Sequence, residues 1–392
     1  MKKTRKLLSK VISAAMSAAM IGGLGVNTAF QSYIGANVEV SAVESSPVVT
    51  VGDFQYVLYS DKTAHVVGYV GTKDMSTKNF GMPAVVYSKD VDTTWSYNSY
   101  IGSYNITQME ASIFNGCKIK SLSLPRYLRY VMGGFKGAEI GAFFIDSSNT
   151  YLSSYYYSGV YGLYDKDHTT LYAYPSKPSL YVSSTYTTAE SFPTTLKRIE
   201  DRAFENSKYT NVKIPASVTY MGDSVFTGSN IQTVEFKGNA PTFRFMPSSV
   251  IPDHGTFEGA SNLYKITIDG KDGSYNTDSY GMVYNKDMTK LVLVPQGKSN
   301  AFNVASTCTE IGDYAFYHSK ANGPVIYDNV KTIGSSAFYG IKSGFKIYCI
   351  KDTPIETFAK NKNIPYAHIF EYTVSDSMAN ITAYNGTEIN FL

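Results

Sequence analysis

Hydrophobic positions along this chain fall into a short pattern that recurs seven times: a Phe, any residue, usually Gly, a usually small residue, then an alternating apolar pair. The copies begin at Phe114, Phe135, Phe204, Phe226, Phe257, Phe316 and Phe338. After the first four, the pair is Leu122/Leu124, Phe143/Ile145, Val212/Ile214 and Val234/Phe236, at offsets 8 and 10. After the last three it reads one residue later, as Ile266/Ile268, Val325/Tyr327 and Ile347/Cys349. Period-two alternation at a fixed distance from an aromatic predicts one short strand per copy, with one face turned inward. A unit of this size cannot bury its apolar face alone, so the copies must stack on one another. The predicted fold class is a repeat solenoid of mainly short β-strands with short helical or 3₁₀ turns.

Five residues before several of the Phe lies a second apolar mark: Met109, Ile199, Met221, Ile311 and Ile333. A spacing near one helical turn predicts a short helical or 3₁₀ segment that lays the Phe on the strand layer. Gly in the third motif position of five copies fits a residue with positive φ, Asn206 is the next best tolerated there, and His318 is the odd one.

The spacing is interrupted twice, by 69 residues between Phe135 and Phe204 and 59 between Phe257 and Phe316. The interruptions are related, since 164–175 matches 284–295 position for position. Each reads as a β-hairpin with a polar turn at Lys-Asp, giving two hairpin inserts near 155–187 and 275–305.

The runs Val212-Lys213-Ile214-Pro215 to Val225-Phe226 and Glu310-Ile311-Gly312-Asp313-Tyr314-Ala315-Phe316 resemble the BspA-like leucine-rich repeats of bacterial surface and secreted proteins. The resemblance spans about residues 105 to 368. It implies a right-handed leucine-rich-repeat solenoid used for binding or adhesion, with partners that differ between members.

Composition changes the picture mainly at the ends. Lys2, Lys3, Arg5, Lys6 and Lys10 precede an apolar stretch from Val11 to Val26, and Val40-Ser41-Ala42 offers a small-residue cleavage site, so 1–42 reads as an export signal cut after Ala42. Without it the formal charge of +3 loses five basic residues and one acidic, Glu39, and becomes −1. No basic field remains to attract nucleic acid. No later stretch qualifies as a membrane span, and no sorting signal or lipobox cysteine is seen, so the expected location is secreted or at the bacterial cell surface without a covalent anchor. The remaining chain divides into an N-terminal β cap (43–104), the repeats (105–352), a C-terminal capping helix and strand (353–370) and a tail (371–392). The capping helix is signalled by the box Thr353-Pro354-Ile355-Glu356, its strand by Ile364-Pro365-Tyr366, and a small tail hairpin by the Asn385-Gly386 turn.

Candidate chemistry is sparse. Three cysteines cannot all pair internally; Cys117 and Cys349 read as small buried hydrophobes, and Cys308 is undetermined. Asp165, Asp167 and His168 suggest metal ligands, but the twin segment has Asn285, Asp287 and Met288 there, which favours turn chemistry. The stretch 272–278 shares oxygen ligands with a calcium loop yet lacks its acidic closing residue. No nucleophile elbow, zinc-protease or phosphate-loop motif appears, and the expectation is a non-enzyme without cofactor.

Two features could carry binding. Outward strand positions form a mostly polar row, Ser121, Ser123, Asn211, Lys213, Thr233, Glu235, Lys265, Thr267, Lys346 and Tyr348. Tyr, of which the chain has 34, is dense between Tyr155 and Tyr186, and Tyr172 and Tyr174 of the first insert are the candidate contacts there. The expected function is noncatalytic binding of an extracellular protein or cell-surface macromolecule. A noncatalytic carbohydrate-binding accessory protein is the alternative, and an exported hydrolase the third reading.

Overall fold

The computed structural model describes residues 45–384 except 88–101, 111, 132–134, 158–159, 183–186, 191, 245–254, 322 and 376–377. The chain starts with antiparallel strands Val49–Val51, Phe54–Leu58 and Thr63–Tyr69. Pairing turns parallel where Thr63–Tyr69 meets Ser103–Met109, and from there short parallel strands stack in two series.

One series holds the strands that follow the motif Phe. Lys118–Leu124 pairs with Phe143–Ile145; Asn211–Ile214, Thr233–Phe236 and Lys265–Ile268 run side by side; Pro324–Ile326, Ile347–Cys349 and Tyr366–His368 do the same. Residues such as Val212, Val234 and Ile266 share an inward rung and are fully buried, whereas Asn211, Thr233 and Lys265 share an outward one. The copy after Phe316 departs from the spacing expected of it. Ile326, not Tyr327, is in register with inward Cys349, and Val325 sits beside outward Tyr348. The inward residues are therefore Pro324 and Ile326, at the same offsets as in the earlier copies. Pro324 opens its strand, where a missing N–H costs least, and a reading that avoids Pro within strands shifts by one residue.

The second series corrects the helical expectation. Ile199, Met221, Ile311 and Ile333 lie on the two-residue strands Arg198–Ile199, Tyr220–Met221, Glu310–Ile311 and Thr332–Ile333, which pair in parallel from coil to coil. From there to the Phe the backbone runs through successive turns: Ala203 N–H donates to Glu200, Glu205 to Arg202 and Ser207 to Phe204. Arg202 at φ 58° and Asn206 at φ 55° are left-handed, which breaks any continuing i→i+4 series. The third motif position has positive φ in all seven copies, His318 included at 51°. The fold is thus a stack of repeats built mostly of short strands with very little helix.

The motif Phe form the spine of the core. Phe204 stacks on Phe226 at 5.5 Å and Phe226 on Phe257 at 5.8 Å, and Phe316 stacks on Phe338 at 4.6 Å. Three residues ahead of the Phe, Asp oxygens tie coil to coil: Asp201 accepts from Asp223 N–H, Asp223 from Gly255 N–H, and Asp313 from Ser336 N–H.

Two three-stranded antiparallel meanders interrupt the stack. The first is Leu152–Tyr157, Val160–Asp165 and Thr170–Ala173; the second is Tyr275–Thr277, Val283–Asn285 and Lys290–Leu293. The last strand of each joins the parallel series through Arg198–Ile199 or Glu310–Ile311.

At the far end the helix is Pro354–Asn361, but its capping box is not formed as expected. Thr353 Oγ1 donates to Ile350 O instead, and Glu356 accepts from Asp352 N–H, Lys360 and His368. With the Lys360 and His368 side chains and the Asp352 N–H outweighing its burial, the Glu356 carboxyl is held down at about 2. The strand after it is Tyr366–His368, later than 364–366. The tail hairpin pairs Phe370–Ser375 with Met378–Tyr384, ahead of Asn385-Gly386, which lies outside the described residues.

Candidate binding surface

The outward row of the middle sheet is assembled by strand register: Asn211, Thr233 and Lys265 form one rung, and Lys213, Glu235 and Thr267 the next. The charges around its second rung are matched locally. Lys213 Nζ lies 2.6 Å from Glu190, and Lys237 Nζ bridges Asp269 at 2.7 Å and Glu235 at 2.8 Å. Hydrogen bonds to Asp269 and then Glu235 raise the Lys237 ammonium above its ordinary value. Thr233 Oγ1 donates to Asn211 Oδ1 at 2.6 Å, so even the neutral rung is internally bonded.

Other members of the predicted row are not joined to this one. Tyr348 lies on strand Ile347–Cys349 of a separate sheet with Lys346 just ahead of it, the ammonium resting 5.5 Å from the Tyr348 ring. Ser121 is buried rather than outward, with Oγ donating to Asn79 Oδ1 at 2.8 Å, because strand Asp74–Gly81 pairs alongside and covers it.

The tyrosine candidates separate likewise. Tyr174 is 4% exposed and packs on Phe192, Phe204 and Tyr209 at 5.1 to 5.3 Å, so it is a core residue and not a contact. Its twin Val294 is buried too, which is why an aliphatic residue serves there. Tyr172 is half-buried, as is Val292, and burial raises its phenol above the ordinary value. Sequence reading counted Tyr156, Tyr161 and Tyr181 in the tyrosine-dense stretch but did not gather them with Phe144 into the partly exposed group they form. The signal was available, because Phe144, like Tyr348, is an aromatic between the two residues of an inward pair, an outward position by strict alternation.

The metal readings resolve into turns. Asp165 Oδ1 accepts from Thr169 and Thr170 N–H, its Oδ2 accepts from Thr169 Oγ1, and Asn285 Oδ1 receives Thr289 and Lys290 N–H in the same way. His168 and Met288 both take positive φ at that turn. In 272–278, Asp278 accepts from Met282 N–H and Tyr284 Oη, and burial pushes its carboxyl up against those bonds. Among the described residues no group of three or more His, Cys, Asp or Glu stands placed to hold a metal. Cys117, Cys308 and Cys349 are all buried and free, with thiols pushed up by burial, Cys349 to about 11; Cys308 Sγ donates to Glu310 O. Ala42 lies outside the described residues, and no described helix is long and apolar enough to cross a membrane.

A family model for the BspA type leucine-rich repeat region matches six copies over residues 92–168, 179–293 and 296–385. Similar solved structures include a leucine-rich cell surface protein from Faecalibacterium prausnitzii, 16% identical, covering 78% of this chain and 76% of that one at a TM-score of 0.34. A leucine-rich repeat protein from Eubacterium ventriosum is 18% identical, with coverages of 79% and 67% and a TM-score of 0.36. Another from Bacteroides ovatus is 16% identical, with coverages of 76% and 70% and a TM-score of 0.33. No curated protein sequence matches the chain. With the matched copies spanning most of its length and the recurring Phe motif forming their stacked core, the chain belongs to the BspA-type leucine-rich repeat family.

Proposed function

We propose that this chain is an exported, noncatalytic adhesion or interaction protein, a solenoid with two hairpin inserts that binds an extracellular protein or a cell-surface macromolecule. The observation that carries the reading is the division of labour along each strand. Inward residues such as Val212, Val234 and Ile266 hold the coils together, while the outward rung beside them faces solvent on a rigid frame. Stacked repeats of this kind offer an extended surface whose outer residues are free of folding duties. Its matched charges, Lys213 with Glu190 and Lys237 with Glu235 and Asp269, leave little field for steering, so recognition rests on shape and uncharged contacts.

Export with processing after Ala42 belongs to the same reading. Fractionation with N-terminal sequencing tests it: mature protein in medium or on the cell surface beginning at Val43 supports export, and a cytoplasmic chain beginning at Met1 overturns it. Binding is tested by incubating mature protein with extracellular-matrix preparations and neighbouring bacterial cells. Saturable retention supports the reading, and its absence on every surface refutes it.

A further inference from the structure

Four rings meet on the outward side of strand Phe143–Ile145. Phe144 lies 4.7 Å from Tyr161 and 5.5 Å from Tyr181; Tyr161 lies 4.5 Å from Tyr156 and 5.6 Å from Tyr181. Tyr156 is 57% exposed and the other three are half-buried. The planes meet at angles from 34° to 82°, so the rings form the walls of a corner rather than one flat stack.

Local backbone features build this corner. Gly141 permits the turn Pro178–Leu180 to press against the strand, since a Cβ there would stand 2.9 Å from Tyr181 N and 2.5 Å from Lys120 O. The first meander also keeps its strands paired out to Tyr157 and Val160, whereas in the second the pairing ends at Thr277 and Val283. The longer pairing sets Tyr156 across from Tyr161.

The second meander shows that the fold does not require these rings. Counting from the matched strands, Thr267 stands for Phe144 and Gly281 for Tyr161, Tyr264 replaces the permissive Gly141, and the stretch that carries Tyr181, between Pro175 and the rung of Ala189, is shorter between Pro295 and the matching Phe302. The same antiparallel register and the same join to the parallel series form without the cluster. Four aromatics kept partly in water at one copy only are therefore available for recognition.

The chemistry of the corner narrows the ligand. Its rims carry three phenol hydroxyls, and after burial the groups that raise the Tyr161 phenol are the neighbouring phenols of Tyr181 and Tyr156 rather than charges. An uncharged aromatic face with hydroxyl edges complements the C–H face of a sugar ring, whose own hydroxyls reach the phenol oxygens. Size favours the same partner. A stable protein interface needs roughly 800 Å² on each side, and four partly buried rings, of about 150–250 Å² each when whole, leave far less to cover. We propose that Phe144, Tyr156, Tyr161 and Tyr181 form a binding corner for a neutral polysaccharide, an assignment that deepens the binding function above and rests on it.

Affinity electrophoresis of mature protein in gels containing mixed-linkage β-glucan, xyloglucan, arabinoxylan, galactomannan or amylopectin tests this, with heparin and polygalacturonate as anionic controls. The expected result is retardation by at least one neutral polymer, unchanged between about 50 mM and about 500 mM salt. Tyr156→Ala and Tyr161→Ser should each weaken it about tenfold or more, while Tyr156→Phe stays within about threefold. Tyr339→Ala, at a 59% exposed ring elsewhere, should leave it unchanged. Should Tyr161→Ser fail to fold, Tyr156→Ala at an exposed position still decides. No retardation by any neutral polymer, retardation by anionic polymers alone, or equal loss with Tyr339→Ala would overturn the assignment. Wild-type protein that is retained on cells while ignoring every neutral polymer would refute the sugar corner and leave the broader binding function standing.

Discussion

Tyr164 and Tyr284 occupy the same place in the two meanders and are both buried, yet their partners differ. The Tyr164 ring meets Tyr155 edge-on at 5.9 Å, whereas the Tyr284 hydroxyl donates to Asp278 at 3.0 Å, and strand register makes Tyr155 and Asp278 equivalent. What the meanders share is backbone determinants: a bulge at Leu163/Tyr164 or Val283/Tyr284, a carbonyl-type oxygen from Asp165 or Asn285 closing the turn, and a left-handed residue at His168 or Met288. What differs is how the space around that backbone is filled. Tyr174 packs on Phe204 beside small inward Ala189; in the second meander Val294 is small, and Phe302, at the rung matching Ala189, stacks on Phe316. Topology follows from turns and pairing, and chemistry is exchanged position by position around them.

The comparison can be broken most severely through the spine that joins the two regions. Phe226→Ala should destabilise the chain by about 3–5 kcal/mol in urea titration, because it empties a fully buried site between Phe204 and Phe257. A loss below about 1 kcal/mol would mean that the stack does not bear on stability.

The exchange of large and small residues is tested next. Tyr174→Val should cost about 2–4 kcal/mol, and Ala189→Phe alone about 1–3 from overpacking. If the second meander's solution transfers, the double variant should lose less than the sum by at least about 1 kcal/mol. Strict additivity would show that the two fillings are not interchangeable.

At the turn, Asp165→Ala should cost about 1–2 kcal/mol by stripping two backbone N–H groups of their acceptor. Asp165→Asn should stay within about 0.5 kcal/mol, since Asn285 makes the same bonds. A large loss with Asn would point to a role for the charge that the second meander lacks.

The smallest effect is a slope with pH. Burial raises the Asp278 carboxyl in the folded chain, so the folded state holds its proton more tightly than the unfolded one. The resulting stability is fully present below the unfolded value and is lost as pH rises through the folded one. Denaturant midpoints of wild type should carry this fall above the ordinary carboxylate range, Asp278→Asn should remove it, and Tyr155→Phe should leave it intact. The same slope in Asp278→Asn would assign it to another group.

Periodicity made the recurring Phe motif, the inward strand residues of every copy but the one after Phe316, and the relation of the two long gaps legible, because each rests on spacings the chain repeats. The helical expectation failed at Arg202 and Asn206: five-residue spacing fits one helical turn and also a strand followed by turns, and only backbone φ separates them. Tyr174 was misplaced as a surface candidate beside Tyr172 because alternation through a bulge loses its parity, and Tyr172 is itself the extra residue between Leu171, paired with Tyr164, and Ala173, paired with Leu163. Phe144 was readable by alternation, but its gathering with Tyr156, Tyr161 and Tyr181 depends on the close approach at Gly141, which no local pattern announces.

Each parallel rung bonds only to the rung before and the rung after it, as in the series Arg198–Ile199 and Tyr220–Met221. A coil can therefore be gained or lost with adjustment at two boundaries alone. Every coil inserted between the meanders moves them apart by one strand spacing, about 4.8 Å. The number of coils from Phe204 to Phe257 is thus a ruler, and evolution can set the distance between the two meanders on one molecule by counting repeats instead of redesigning either meander.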